Sequence, residues 1–267
     1  MPNACSTASP GGWGNDVVLN AELLARHLRQ LAELGEPHVV LDRWTRTQAL
    51  RALATAPAAP AVHESPAAYA VVESSGPAAG IENGALTVLA QEAAGCMRCG
   101  LHAGRITVVF GEGDPRADLL VVGEAPGQEE DRTGRPFVGR AGKLLDLLLM
   151  SAGFPRASVY ICNVLKCRPP NNRNPLPDET ATCVATWLRP QIEAVAPRAL
   201  LAVGRFAVQA LLETDAGIGR LRGRIHDYNG APVVVSYHPA YLLRSPHAIR
   251  AAWDDFQMIR TILDEQG

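Results

Sequence analysis

Aromatic side chains make up only 5% of this 267-residue chain, and its formal net charge is −2. Near-neutrality excludes a global basic field, so a polyanionic partner has to be held by a local patch. Residues 1–89 carry 5 Lys+Arg against 8 Asp+Glu, which leaves 20 against 19 for residues 90–267. No apolar run approaches the roughly 18 residues a membrane helix needs, so no membrane partner is expected. The opening MPNACSTASPGGWGND lacks the basic region and apolar core of a secretory signal. Six cysteines without such a signal point to a reducing, cytoplasmic compartment, where paired cysteines more often bind metal than form disulfides.

What the chain does have is apolar mass, 47% of its residues, and enough length for one or two domains. Residues 1–53 read as an N-terminal extension. Asn15 or Asp16 caps a helix with Val18, Leu19, Leu23, Leu24, Leu28 and Leu31 on one stripe, and Arg43 to Leu53 forms a second, weaker helix. Residues 54–85 read as a linker, because Thr55 to Gly80 is dominated by Ala, Pro and Ser. Residues 86–267 form the compact domain. Apolar strands are expected at Val108–Phe110, Leu119–Val122, Val159–Val164, Ala199–Val203 and Pro232–Tyr237. Helices are expected near 86–95, 139–150, 178–195, 205–212 and 248–263. Strands that alternate with helices imply an α/β fold with a parallel sheet covered on both faces.

The chain is organised around Asp118 to Gly142, DLLVVGEAPGQEEDRTGRPFVGRAG. An apolar strand breaks into Gly123-Glu124-Ala125-Pro126-Gly127, a rigid turn that leaves Glu124 at the strand's carboxyl end. Ligands bind there in open α/β sheets. The charged run Glu129–Arg132 reads as a solvated loop, and Phe137 places a ring in the loop that follows. Among the cysteines, Cys96-x2-Cys99 with Cys167 and Cys183 fits a [4Fe–4S] cluster or a zinc site, and spacing leaves that choice open. Cys162 reads as a core residue.

Four motifs lie in chain order: GEAPGQEEDRTGRPFVGRAG, NVLKCRPPNNRNP, LRGRIH and YHPAYLLR. With the flanking cysteines they resemble the family-4, iron–sulfur uracil-DNA glycosylases over residues 90–264. The resemblance implies a three-layer α/β/α sandwich with a central four-stranded parallel sheet. It also implies a [4Fe–4S] cluster on Cys96, Cys99, Cys167 and Cys183, structural rather than redox-active. The implied activity is hydrolysis of the N-glycosidic bond of deoxyuridine in single- and double-stranded DNA, by a monomer, leaving an abasic site.

Carried over residue by residue, Gly123 and Ala125 line the uracil site, Phe137 matches the ring on which uracil stacks, and Asn163 the amide that reads it. His238 matches the histidine that faces uracil O2, Glu124 the carboxylate that handles water, and Glu130 is a second candidate for that role. Arg222, Arg224 and Arg244 are expected at DNA phosphates, with Arg220, Arg135, Arg140, Lys143, Lys166 and Arg168 at neighbouring loops. Leu242 or Leu243 is expected to fill the space a flipped base vacates. The resemblance does not reach residues 1–85, where a docking segment for another protein is one expectation. A related class captures uracil DNA covalently through a histidine in a KRRIH loop. Arg224-Ile225-His226 is similar but shows no insertion, and that class has Gln where this chain has Ala125. His226 is therefore expected to be structural or DNA-proximal, with a stable covalent complex as the alternative function.

Overall fold

The computed structural model describes residues 84–266. The expected N-terminal helices and linker lie outside them. Strands β1 (Glu112–Gly113), β2 (Leu119–Gly123), β3 (Tyr160–Asn163), β4 (Ala199–Val203), β5 (Ile225–Tyr228) and β6 (Ala231–Ser236) form one sheet in the order β1-β3-β2-β4-β6-β5. The four central strands are parallel, as expected. Two antiparallel edge strands add to them.

The interior strands are buried on both faces, as a covered parallel sheet requires. Alternate residues serve the two faces. Leu120, Val122, Cys162, Leu200, Ala202, Val233 and Val235 pack in one apolar layer with α1 (Gly84–Ala94), α5 (Arg189–Val195) and α6 (Arg205–Leu212). Leu119, Val121, Ile161, Leu201 and Val234 pack in the other with α3 (Arg140–Ser151) and α9 (Ile249–Glu265). Each such aliphatic side chain contributes about 1.5–3 kcal/mol by leaving water.

Several expectations need correction. Val108–Phe110 is not a strand; the short edge pairing falls on Glu112–Gly113. The charged run forms α2 (Gln128–Thr133), because Asp131 turns inward and accepts from the Ile106 and Thr107 amides. The expected helix 178–195 is α4 (Pro177–Cys183) and α5 joined by a π turn, Val184–Leu188. The Arg189 amide there reaches back to the Val184 carbonyl, and the widened turn accommodates Pro190, which has no N–H. Strand β5 was missed, although Asn229-Gly230 is a strong hairpin signal: φ of 52° and 89° suit a type I′ turn between Tyr228 and Ala231. Two short helices complete the domain, α7 (Ile218–Leu221) and α8 (Pro239–Arg244). Among the described residues no helix is long and apolar enough to cross a membrane.

Candidate active site

A cleft of ≈ 440 Å³ opens at the carboxyl end of the sheet, a typical size and place for a ligand site. Its walls are the turn after β2, the Phe137 loop, the end of β3, the Pro169–Asn174 loop and the start of α8. Glu124, Ala125, Phe137, Asn163 and His238 all line it.

Gly123 is what lets two of these converge. A Cβ there would stand 2.4 Å from both Asn163 Oδ1 and Phe137 Cζ. Asn163 pairs across β2 and β3 with Gly123 and is 2% exposed. Its Oδ1 is buried without a hydrogen-bond partner. Buried polar atoms are nearly always satisfied, so an orphaned acceptor aimed at a cleft points to a ligand donor.

Phe137 has φ of 51°, which costs an aromatic residue about 1–3 kcal/mol. Its surroundings hold it there. The Phe137 carbonyl sits where a Cβ on Gly142 would be only 1.9 Å away, so α3 packs on it directly. Arg156 donates to the Phe137 and Pro136 carbonyls at 3.2 and 2.6 Å while paired with Glu112 and Asp146, both at 2.6 Å. The Phe137 ring is 5.8 Å from the His238 ring. Sequence reasoning missed Arg156, since nothing local marks a distant arginine as a brace.

Glu130 lines the same cleft, but its carboxylate oxygens are engaged by backbone. Its Oε2 accepts from the Gly127 amide at 3.1 Å, and its Oε1 from the Val138 and Gly139 amides at 2.9 Å each. Both oxygens thus tie the two cleft loops together. Glu124 is half-buried; burial raises its carboxyl pKa above the ordinary range, opposed by the Arg205 charge. His238 Nδ1 accepts from the Ala240 amide at 3.1 Å and caps α8, so a neutral ring carries its proton on Nε2. Burial, then the Arg244 charge, pull its pKa down to about 4, with Glu130 opposing, and the imidazole is neutral at pH 7.

Cys96, Cys99, Cys167 and Cys183 line a second, smaller cavity with Arg105, His102 and Lys166. Among the described residues no three His, Cys, Asp or Glu side chains stand close enough to hold a single ion. The four thiols ring a shared cavity instead. Arg105 Nη1 donates to Cys167 Sγ at 3.4 Å and to the Cys96 carbonyl at 2.6 Å. Burial pushes the Cys183 thiol up to about 11 and raises Cys167 too, against Arg105. Four soft donors with cationic neighbours suit an anionic metal–thiolate group. Cys162 lies in the core, as expected.

The family model of the uracil DNA glycosylase superfamily matches residues 110–257. A type-4 uracil-DNA glycosylase of Thermotoga maritima is 41% identical over 186 residues, covering 68% of this chain and 96% of that protein. One of Archaeoglobus fulgidus is 40% identical over 179 residues, 64% of this chain and 89% of that protein. This chain belongs to the type-4 uracil-DNA glycosylases. A type-5 uracil-DNA glycosylase of Pyrobaculum aerophilum is 38% identical but covers only 49% of this chain.

The type-4 assignment brings in the residues expected at DNA, and the structure separates them. Arg244 is exposed at the cleft mouth and Arg224 is exposed beside β5. Arg222 is turned inward: its guanidinium grips Asp255, 1% exposed, at 2.9 and 3.1 Å, and lies 5.2 Å from the Tyr237 ring. It is therefore not presented to phosphate. Leu242 is fully buried in the core, because α8 packs that face on α3, so it cannot enter a duplex. Leu243 and Tyr241 are the exposed side chains of that motif. Lys166, expected near phosphates, is 1% exposed. Arg135 pairs with Glu112 at 2.7 Å and Arg168 donates to Asn172. Arg140, Lys143 and Arg220 are exposed. His226 lies on the edge strand β5, its Nε2 2.8 Å from the Leu221 carbonyl, away from the residues lining the cleft.

Proposed function

We propose that this protein is a monofunctional uracil-DNA glycosylase that hydrolyses the N-glycosidic bond of deoxyuridine in single- and double-stranded DNA. It releases uracil, leaves an abasic site and so initiates base excision repair. The observation that carries this reading is the orphaned, buried Asn163 Oδ1 in the cleft that it shares with the Phe137 ring and a neutral His238.

The chemistry follows from those groups. The target base is flipped out of the stack to reach the cleft. Its ring stacks on Phe137, worth about 1–3 kcal/mol for a base on an aromatic side chain. Asn163 Oδ1 accepts from uracil N3–H while its Nδ2 donates to O4. Cytosine offers an acceptor and a donor at those two places, so both contacts fail. As the glycosidic bond breaks, negative charge collects on the departing base and positive charge on the sugar. His238 Nε2–H donates to uracil O2, a preorganised dipole aimed at charge that develops only in the transition state. Glu124 orients the attacking water and faces the cationic sugar. Glu130, with three backbone amides on its oxygens, is a positioning residue for the cleft loops. Arg224 and Arg244 hold phosphates, and Leu243 takes the wedge role.

Cys96, Cys99, Cys167 and Cys183 would hold a [4Fe–4S] cluster, which when bound would cross-link the segment before β1 to the segments after β3 and at the end of α4. The enzyme acts as a monomer in the cytoplasm, with residues 1–53 available to a protein partner. Covalent capture through His226 is not favoured, because that ring is bonded to backbone on an edge strand.

The test is uracil release from a single-stranded oligonucleotide with one central uracil, using anaerobically purified protein. The same samples run on a denaturing gel with and without alkali. Free uracil and alkali-labile strands support the reading. A band that survives denaturation, with no free uracil, overturns it in favour of covalent capture.

A further inference from the structure

Lys166 does not behave like the surface lysine its sequence context implies. Its ammonium donates to the Asn163 carbonyl at 2.7 Å and to Gln191 Oε1, and it lies 5.8 Å from the Phe110 ring. None of these partners is an anion, and no carboxylate among the described residues is paired with it. Nor can the side chain retreat to solvent. Gln191, itself 0% exposed, is anchored to the Phe110 carbonyl and the Tyr160 hydroxyl at 2.9 and 3.2 Å, and the Lys166 carbonyl accepts from the Val109 amide at 2.8 Å. A buried cation is tolerated only with a compensating charge nearby. The groups available are the cysteines: Lys166 lines their cavity and is the chain neighbour of Cys167.

We propose that Lys166 is the buried counter-ion of the metal–thiolate group held by the four cysteines, and that through the Asn163 carbonyl it makes the base-reading amide depend on that group. The proposal rests on the cluster assignment above. An iron–sulfur core with four thiolates is net anionic and supplies the missing charge. Without it the ammonium stands unpaired behind Asn163, and residues 163–167 are the segment that has to give way. Lys166 is thus a positioning residue, acting on the base through Asn163. Oxidative loss of the cluster would act on uracil recognition by the same route.

The full chain is prepared anaerobically as wild type, Lys166→Met and Gln191→Glu, each with its cluster and after iron chelation. Lys166→Met removes the charge, whereas Gln191→Glu gives it a carboxylate. Thermal unfolding and hydrogen exchange of residues 163–167 are followed. Chelation is expected to lower the wild-type midpoint by about 10 °C more than that of either variant, and to raise exchange in 163–167 mainly in the wild type. Equal losses in all three proteins would overturn the proposal. If Lys166→Met does not fold, Gln191→Glu decides alone by the same comparison. Uracil release by the wild type is scored separately: wild-type release together with equal chelation losses rejects the counter-ion and spares the function. Cluster-dependent differences without release do the reverse.

Discussion

Replacing Gly123 with alanine should disable the uracil site while leaving the fold in place. The new Cβ would lie 2.4 Å from Asn163 Oδ1, 2.4 Å from Phe137 Cζ and 2.6 Å from Phe137 Cε2. Ordinary contacts are about 3.3 Å for carbon to oxygen and about 3.5 Å for carbon to carbon. Each neighbour therefore has to move by roughly 1 Å, a misplacement that costs on the order of 10²-fold in rate. Neither moves freely. Asn163 is 2% exposed at a strand end, and Phe137 is 5% exposed, with its carbonyl held by Arg156 and pressed by Gly142. The expected loss in kcat/KM for uracil DNA is about 10²-fold, equivalent to ≈ 2.7 kcal/mol of transition-state binding. Overpacking of this kind should take about 1–3 kcal/mol from stability, a fall of a few degrees in Tm. Gly219→Ala, whose Cβ meets nothing within 4 Å, is the control and should leave activity unchanged without lowering stability. The assay is single-turnover uracil release alongside thermal unfolding. A folded Gly123→Ala protein that cleaves within threefold of wild type would refute the convergence of Asn163 and Phe137 on one base.

Activity should have a single acid limb set by Glu124, with its midpoint above the ordinary glutamate value because burial raises that carboxyl. The pH profile of Glu124→Gln should lack this limb, and a retained limb would reassign it. His238, at about 4, is neutral at pH 7 and is expected to protonate only at the acid end of that profile. Between pH 6.5 and 4 the unfolded chain binds the proton that the folded histidine refuses, so this site loses stability as pH falls through that window. His238→Gln should flatten the loss in chemical unfolding measured at pH 7 and pH 5. Leu242→Ala should cost about 2–5 kcal/mol of stability as a core truncation. Leu243→Ala should leave stability alone and slow release from duplex more than from single strands; the converse pattern would reverse their roles. Arg156→Lys should raise KM by about tenfold with little change in kcat, since a point charge cannot span two carbonyls and two carboxylates. A fall in kcat at unchanged KM would place Arg156 in the chemistry instead.

By itself the chain determined the parts whose information is local. Apolar strands alternating with amphipathic helices specify a covered parallel sheet. The Gly-Glu-Ala-Pro-Gly break after β2, Asn163 ending β3 and His238-Pro239 following β6 place Glu124, Asn163 and His238 at one sheet end once the strands run parallel. The four cysteines stood out by spacing and type, and the fold brings them around one cavity. Tertiary structure decided what depends on neighbours distant in sequence. Arg222 faces the interior because Asp255, 33 residues on, is buried opposite it, and Lys166 because its loop end is wrapped by Gln191 and the cysteine cavity. Leu242 and Leu243 are chemically identical, and only the packing of α8 on α3 sends one to the core and leaves the other in water. Glu124 and Glu130 likewise part company through backbone amides: three converge on Glu130 from two loops, while Glu124 remains open to the cleft. Side-chain type and spacing are written in the chain, but burial and partner choice arise only when distant segments meet.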